Sequence, residues 1–293
     1  MHIALPDVLQ TPREIGMIAL ALDIITTAAI LFAVASGLLI ILGVLKIVNF
    51  AHGGFLTVGG YSALVVTQLG WSPWLAYPAA FLAGIVLGGV VERFIVRPLY
   101  ERPLDAILAT WGLGLMIGQL ITIAFGREIQ FVQTPIAGAT SILGETYSLY
   151  RVFLILAAAV VAGAIAAVFS ATRLGLEARA VIMNEPLARG LGINSGYVRF
   201  VTFCFGAGLA SLAGALITPL SSVDPNMGVP WLVNAFMLVM VSSVSLLSLA
   251  LAAVTLGGAQ VLVSTLISPV IGGLTIVVLA AVLLRIRPAG FGW

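Results

Sequence analysis

Two histidines, one cysteine and one lysine are nearly all that this chain offers to catalysis, and none has company. Nucleophilic hydrolysis needs a nucleophile within reach of a base, and His2 and His52 are the only imidazoles. A metal centre needs several His, Cys or carboxylate ligands at close spacing, which the apolar runs do not supply. Cys204, between Phe203 and Phe205, reads as apolar packing and excludes an intramolecular disulfide framework. A phosphate-binding loop needs Gly-Lys-Ser/Thr, whereas Lys46 is flanked by Leu45 and Ile47. No catalytic set, metal site or cofactor is therefore expected, and any ATP hydrolysis must come from another polypeptide. What remains is a set of polar side chains inside apolar runs: Asn49 and His52, one turn apart, then Thr110, Gln119, Asn234 and Gln260. Such groups are costly in lipid unless they face a cavity or a partner helix. They nominate a pathway for a polar solute; the alternative is that each hydrogen-bonds a neighbouring helix. Asp23 is the one acid inside a run and can snorkel to an interface, so proton-coupled transport has little support.

The elements that must position these residues are membrane helices. Of 293 residues, 61% are hydrophobic and 8% charged, and the mean hydropathy is +1.19. A soluble domain carries about 25% charged residues. The repeated apolar runs of roughly 20 residues predict an all-α polytopic transmembrane bundle, not a barrel. A formal net charge of +2 gives no sign of a nucleic-acid surface. Nothing in Met1 to Gln10, which contains Pro6 and Asp7, resembles a cleaved signal. The runs are read as Ile15 to Leu45, Ile47 to Gly70, Pro73 to Val91, Ala106 to Phe125, Val152 to Ser170, Phe200 to Leu220, and three crossings from Trp231 to Leu284 with Pro269 at the last turn. That makes nine spans with the N-terminus outside. If the glycine-dense Ile47 to Gly70 is re-entrant, there are eight and the N-terminus moves inside. Asp7, Arg13 and Glu14 are too balanced to choose. Residues 126–150 form a charge-balanced outer loop, Trp71, Trp74 and Tyr77 an interfacial aromatic belt, and Arg93, Arg97 and Arg102 a basic cytoplasmic loop. The whole chain, 1–293, reads as one transmembrane domain.

The longest charged interruption is Arg173 to Arg199, with four arginines and two glutamates between chargeless flanks. The positive-inside bias places it in the cytoplasm. Leu174 to Met183 has helix-forming residues, Asn184-Glu185-Pro186 interrupts, and Leu187 to Leu191 can make a second short helix closed by Gly192. Leu187, Leu191 and Ile193 would be available to a hydrophobic socket, and Arg179 and Arg189 to acidic neighbours. Such a knob suits docking into a groove on a soluble partner; the other reading is a solvated connector that sets topology.

In that segment RAVIMNEPLARGLGIN resembles the cytoplasmic coupling segment of permeases of bacterial ABC importers of the high-affinity branched-chain amino acid type, with the pattern R-A-x-x-x-N-x-x-x-A-x-x-x-G-I. Arg179, Ala180, Asn184, Ala188, Gly192 and Ile193 hold the matching positions. IVNFAHGGFLTVGGY is similar to the family's N-terminal I-N-x-A-H-G block, and RPAGFGW resembles its C-terminal R-P-x-G-x-x-G ending with one residue fewer. The resemblance implies a permease subunit in the bacterial cytoplasmic membrane. It also implies two ABC ATPase subunits bound to the coupling segments, a second permease, paralogue or self, and a periplasmic substrate-binding protein. On that reading Glu177, Arg179, Asn184, Ala188, Arg189 and Gly192 face the ATPase. Residues 241–253, VSSVSLLSLALAA, depart from the glycine-rich segment usual in the family, so backbone freedom is reduced there. RPLYERPLDAILATWGLGL looks closer to the urea-transporting branch, leaving urea or a short amide as an alternative solute. Two other classes stay open: a stand-alone channel or secondary carrier, and a membrane anchor or assembly subunit.

Overall fold

The computed structural model describes residues 16–287 and 290–291. The readings made on Met1 to Gln10, Arg13, Glu14 and most of the RPAGFGW ending lie outside these residues.

The first apolar run is one continuous helix, α1 (Met17–Leu45), of 29 residues. At 1.5 Å per residue it is about 44 Å long, against about 30 Å of hydrocarbon, so it is long enough to cross with room for tilt. Lys46 ends it in the left-handed region at φ 56°. Residues 47–51 are non-helical, and α2 (His52–Gln68) begins beside the middle of α1, where the His52 Nε2 donates to the Val34 carbonyl at 2.9 Å. Val34 precedes Leu45 by eleven residues, about 16 Å of helix. The chain thus climbs back halfway in an irregular stretch before α2 carries it outward. Ile47 to Gly70 is therefore a broken crossing, not a loop that returns to its own side. The helix α3 (Ala76–Val91) brings the chain back, and it does not stop where the charges begin. A wide π-type turn over Glu92–Val96 and a tight turn over Arg97–Leu99 extend it.

The helix α4 (Pro103–Phe125) then runs outward to a hairpin of β1 (Ala139–Ile142) and β2 (Glu145–Ser148), antiparallel, with Ile142 opposite Glu145. The expected outer loop thus contains a small sheet. Inward again comes α5 (Leu149–Ala171), followed by two short helices, α6 (Arg173–Met183) and α7 (Glu185–Gly190), and then the outward α8 (Ser195–Ile217). The bundle closes with α9 (Gly228–Ser242), α10 (Leu246–Leu266) and α11 (Pro269–Ile286). Among the described residues seven helices are long and apolar enough to cross a membrane, counting α3 with its flanking turns as Pro73–Leu99; α9 is apolar but shorter. With the broken α2, these are the eight to nine runs read from the sequence.

The bundle is built around α8, which packs on α1, α2 and α3. Close approach explains its small residues. A Cβ on Gly214 would overlap the Leu56 carbonyl, one on Gly206 would meet the Gly37 carbonyl at 2.7 Å, and one on Gly84 of α3 would meet the Ala207 carbonyl at 2.6 Å. Side chains of that width would force the backbones apart. The short α9 starts at the same depth as α2: the Gly228 N–H donates to the Thr57 hydroxyl at 3.2 Å, and a Cβ on Gly228 would overlap the Gly53 carbonyl. Two helix N-termini therefore meet inside the bundle, α2 leading outward and α9 inward.

Candidate functional site

The 173–199 segment forms a capped helical knob. The Thr172 hydroxyl accepts from Gly175 N–H at 3.2 Å and begins α6. Asn184 Oδ1 accepts from Leu187 N–H at 3.1 Å and begins α7, satisfying one of the donors that a helix start leaves orphaned. The exit is a Schellman motif: Ile193 N–H reaches the Ala188 carbonyl at 3.0 Å and Gly192 N–H the Arg189 carbonyl at 3.0 Å. Gly192 holds φ at 86° there, which is why a glycine closes the knob. Of the residues read as ATPase-facing, Arg179 is exposed, Glu177 pairs with Arg173 at 2.9 Å, and Arg189 pairs with Glu185 at 2.9 Å while its Nε donates to Ser195 at 2.7 Å. Ala188 is buried and turned toward the bundle. Leu187 and Leu191 are exposed at 61% and 74%, whereas Ile193 packs against the core and is not free for a socket.

The knob is tied to the membrane helices through Arg199, near the start of α8. Its guanidinium pairs with Glu185 of α7 and lies over the Tyr100 ring, 4.7 Å from the centroid. The Tyr100 hydroxyl donates to Glu92, which is fully buried at the end of α3. Burial, with Glu92 beside it, pushes the Tyr100 hydroxyl above its ordinary pKa, so it stays a donor. Arg199 Nε and Glu92 Oε2 are buried without partners. The apolar run read from the sequence ends at Val91, which leaves Glu92 beside the basic loop and outside this connection. The carboxyl became internal because α3 continues through a π-type turn.

The polar residues of the apolar runs fall into separate places. Asn49 and His52 do not share a helical face, since α2 starts only at His52. Both are buried: Asn49 Oδ1 accepts from Ala51 N–H at 3.0 Å and His52 is bound to Val34. Asn49 Nδ2 and His52 Nδ1 have no partner. Thr110 is buried, its hydroxyl accepting from Phe50 N–H at 3.2 Å, which ties α4 to the irregular stretch. Gln119 lies on an exposed face of α4. Asn234 and Gln260, by contrast, line one cavity of about 600 Å³ between α1, α9, α10 and α11, with Leu31, Trp231 and Leu274 among its walls.

Toward the outer hairpin Gln260 also lines a second space of about 280 Å³, with Thr26, Thr27 and Ser264. Asp23 and Arg151 form an ion pair on its wall. Tyr147 of the hairpin fastens this end: its hydroxyl is 2.8 Å from the Thr26 hydroxyl and donates to Asp23 at 3.1 Å. Burial raises the Tyr147 pKa above its ordinary value and keeps it protonated. Asp23 thus does not snorkel alone. The pairing of residues 128 positions apart had no signal in the sequence.

Residues 20–286 match the family described as branched-chain amino acid transport system / permease component. The chain belongs to this family. It is similar to the high-affinity branched-chain amino acid transport system permease protein BraD of Pseudomonas aeruginosa, 26% identical over 211 residues, covering 67% of this chain and 69% of BraD. LivH of Salmonella typhimurium, of the same description, is 25% identical over 200 residues, 63% of this chain and 65% of LivH. A probable branched-chain amino acid transport permease protein LivH of Methanocaldococcus jannaschii is 25% identical over 209 residues, 68% and 65%. The chain matches these curated relatives over about two thirds of their length. As a permease component it presents two distinct polar regions, a knob at one end of the bundle and a cavity leading in from the other.

Proposed function

We propose that this chain is the membrane-spanning permease of an ATP-driven importer for branched-chain or other small amino acids in a bacterial inner membrane. Partner ATPases would bind the knob, a second permease, paralogue or self, would complete the pathway, and a periplasmic binding protein would deliver the solute. The observation that supports this reading best is the construction of the knob. It is rigidly capped, exposes Leu187 and Leu191, and is pinned by Glu185 to Arg199 at the foot of the central helix. A loop that only set topology would need none of these fastenings. The relatives are described as branched-chain amino acid permeases, which favours leucine-type solutes over urea.

The test is to purify the tagged chain in mild detergent, identify by mass what comes with it, and measure uptake of labelled leucine and urea after reconstitution. An ABC ATPase in the complex and ATP-dependent leucine uptake are expected. ATP-independent flux through the chain alone would replace this reading with a channel or carrier, and no flux with the co-purified partners would replace it with an anchor.

A further inference from the structure

The two spaces that meet at Gln260 are complementary to one kind of molecule. The outer one, about 280 Å³, is walled mainly by polar side chains, among them Asp23, Arg151, Thr27, Ser264 and Thr265. The inner one, about 600 Å³, is walled mainly by apolar groups such as Leu31, Trp231, Leu274 and Val277. Thr27, Ile30 and Gln260 line both. Ligand sites of this type combine an apolar chamber with a few placed polar groups and span roughly 300–1,000 Å³.

From this geometry we propose that the cavity is an outward-side binding site for an amino acid with an apolar side chain, held by Asp23, Arg151 and Gln260. The Asp23 and Arg151 side chains remain 41% and 42% exposed although paired with each other. A zwitterion laid against that pair, ammonium on Asp23 and carboxylate on Arg151, completes a ring of four alternating charges. A solute with one charge meets attraction at one end and repulsion at the other. The ion pair does fasten the start of α5 to α1, but that role explains neither the run of hydroxyls beside it nor the state of Gln260. Gln260 Oε1 is buried with no hydrogen-bond partner, and a buried acceptor left unpaired is costly. A turn of the Gln260 amide toward the outer space would present that oxygen to an ammonium donor there and satisfy it. The side chain then lies in the inner, partly open space against Leu31 and Leu274. A zwitterionic lipid headgroup shares the charge pattern, but its acyl chain would have to lie along a chamber that also contains the Asn234 amide, and an apolar chain leaves such a group unsatisfied.

The choice of leucine as probe rests on the importer reading; the measurement itself needs neither ATP nor an ATPase, so the two readings fail independently. Saturation-transfer NMR on the full chain in nanodiscs of phosphatidylglycerol would compare leucine, 4-methylpentanoate and isopentylamine. Methyl saturation of leucine is expected to exceed that of either singly charged analogue roughly tenfold, and to fall roughly tenfold in Asp23→Asn. Gln260→Leu, which leaves the hairpin fastening intact, should weaken it by a similar factor should Asp23→Asn fail to fold. No leucine signal, or equal signals from all three probes, would overturn the proposal. A leucine signal abolished by adding phosphatidylethanolamine would reassign the cavity to lipid and overturn it as well.

Discussion

Helices α4 and α8 have the same length, 23 residues, and nearly the same hydropathy, 1.8 and 2.0, yet 33% of the apolar window of α4 is buried against 78% of that of α8. Both carry small residues four apart, Gly114 and Gly118 on α4 and Gly206, Ala210 and Gly214 on α8. The difference is that the small residues of α8 meet small residues or bare backbone on other helices, Gly206 against Gly37 and Ala207 against Gly88. Those of α4 do not: a Cβ on Gly114 or Gly118 would find its nearest atom at 3.4 Å, an ordinary contact, and one on Gly112 would find open space. Small-xxx-small spacing is thus a statement about pairs of helices. A stripe on one helix says nothing until its partner is known.

The same substitution on the two helices should break the symmetry most strongly. Gly214→Ala forces its methyl into the Leu56 carbonyl and is expected to cost about 3 kcal/mol, from overpacking that backbone cannot relieve cheaply. Gly112→Ala should cost nothing and should gain up to about 1 kcal/mol of helix propensity. Thermal melting of the two purified variants in one detergent checks both. Equal losses would mean that α4 is packed against something as close as α2 is to α8.

The knob-side ends of the two helices differ in the same way. The α4 pair, Arg102 with Asp105 at 3.9 Å, is exposed at 74% and 54%, and such pairs are worth little. Arg199 of α8 is 16% exposed and connects Glu185, Tyr100 and Glu92. Tyr100→Phe keeps the ring under the guanidinium and removes only the hydrogen bond to Glu92. In the reconstituted importer this variant is expected to hydrolyse ATP at a near wild-type rate while leucine uptake per ATP falls roughly five- to tenfold, a coupling loss of ordinary size. Arg102→Gln should leave that ratio unchanged. Unchanged coupling in Tyr100→Phe would leave the Arg199 cluster a fastening only.

Much of this layout is legible in the sequence because it depends on local rules. Apolar run lengths, the Asn184-Glu185-Pro186 break and the Gly192 closure each act within a few residues. What escaped notice depends on distant partners. Glu92 reads as a loop charge by position, and only the extension of α3 against α8 makes it internal. Asn49 and His52 read as one helical face, but Lys46 in the left-handed region ends α1 and leaves residues 47–51 to climb irregularly beside it. Asn234 and Gln260 do converge, while Gln119, equally polar and equally central in its run, faces outward; nothing in a run's own composition separates these cases. The stretch at residues 241–253, read as poor in glycine, has a local trace: Ser243 sits at φ 56°, a region that favours glycine.

The smallest expected effect lies in the hairpin, the one sheet among the described residues. The hairpin turn places Leu143 at φ 53° and Gly144 at φ 92°, the two positive values a type I′ turn demands. Glycine suits the second position, but leucine pays a steric cost at the first, and its side chain, 81% exposed, makes up none of it by burial. Leu-Gly is not a turn signature, so the hairpin leaves no local mark in the sequence. Leu143→Asn supplies the residue that tolerates this conformation and should stabilise the hairpin by about 1 kcal/mol. Amide hydrogen exchange of residues 139–148 should slow roughly fivefold, a figure that follows from that free energy at about 1.4 kcal/mol per decade. Exchange in α8 should not change, since the gain is local and the central helix does not open with the hairpin. Slower exchange in both would mean that the outer hairpin, through Tyr147 and Asp23, helps to hold α1 in place.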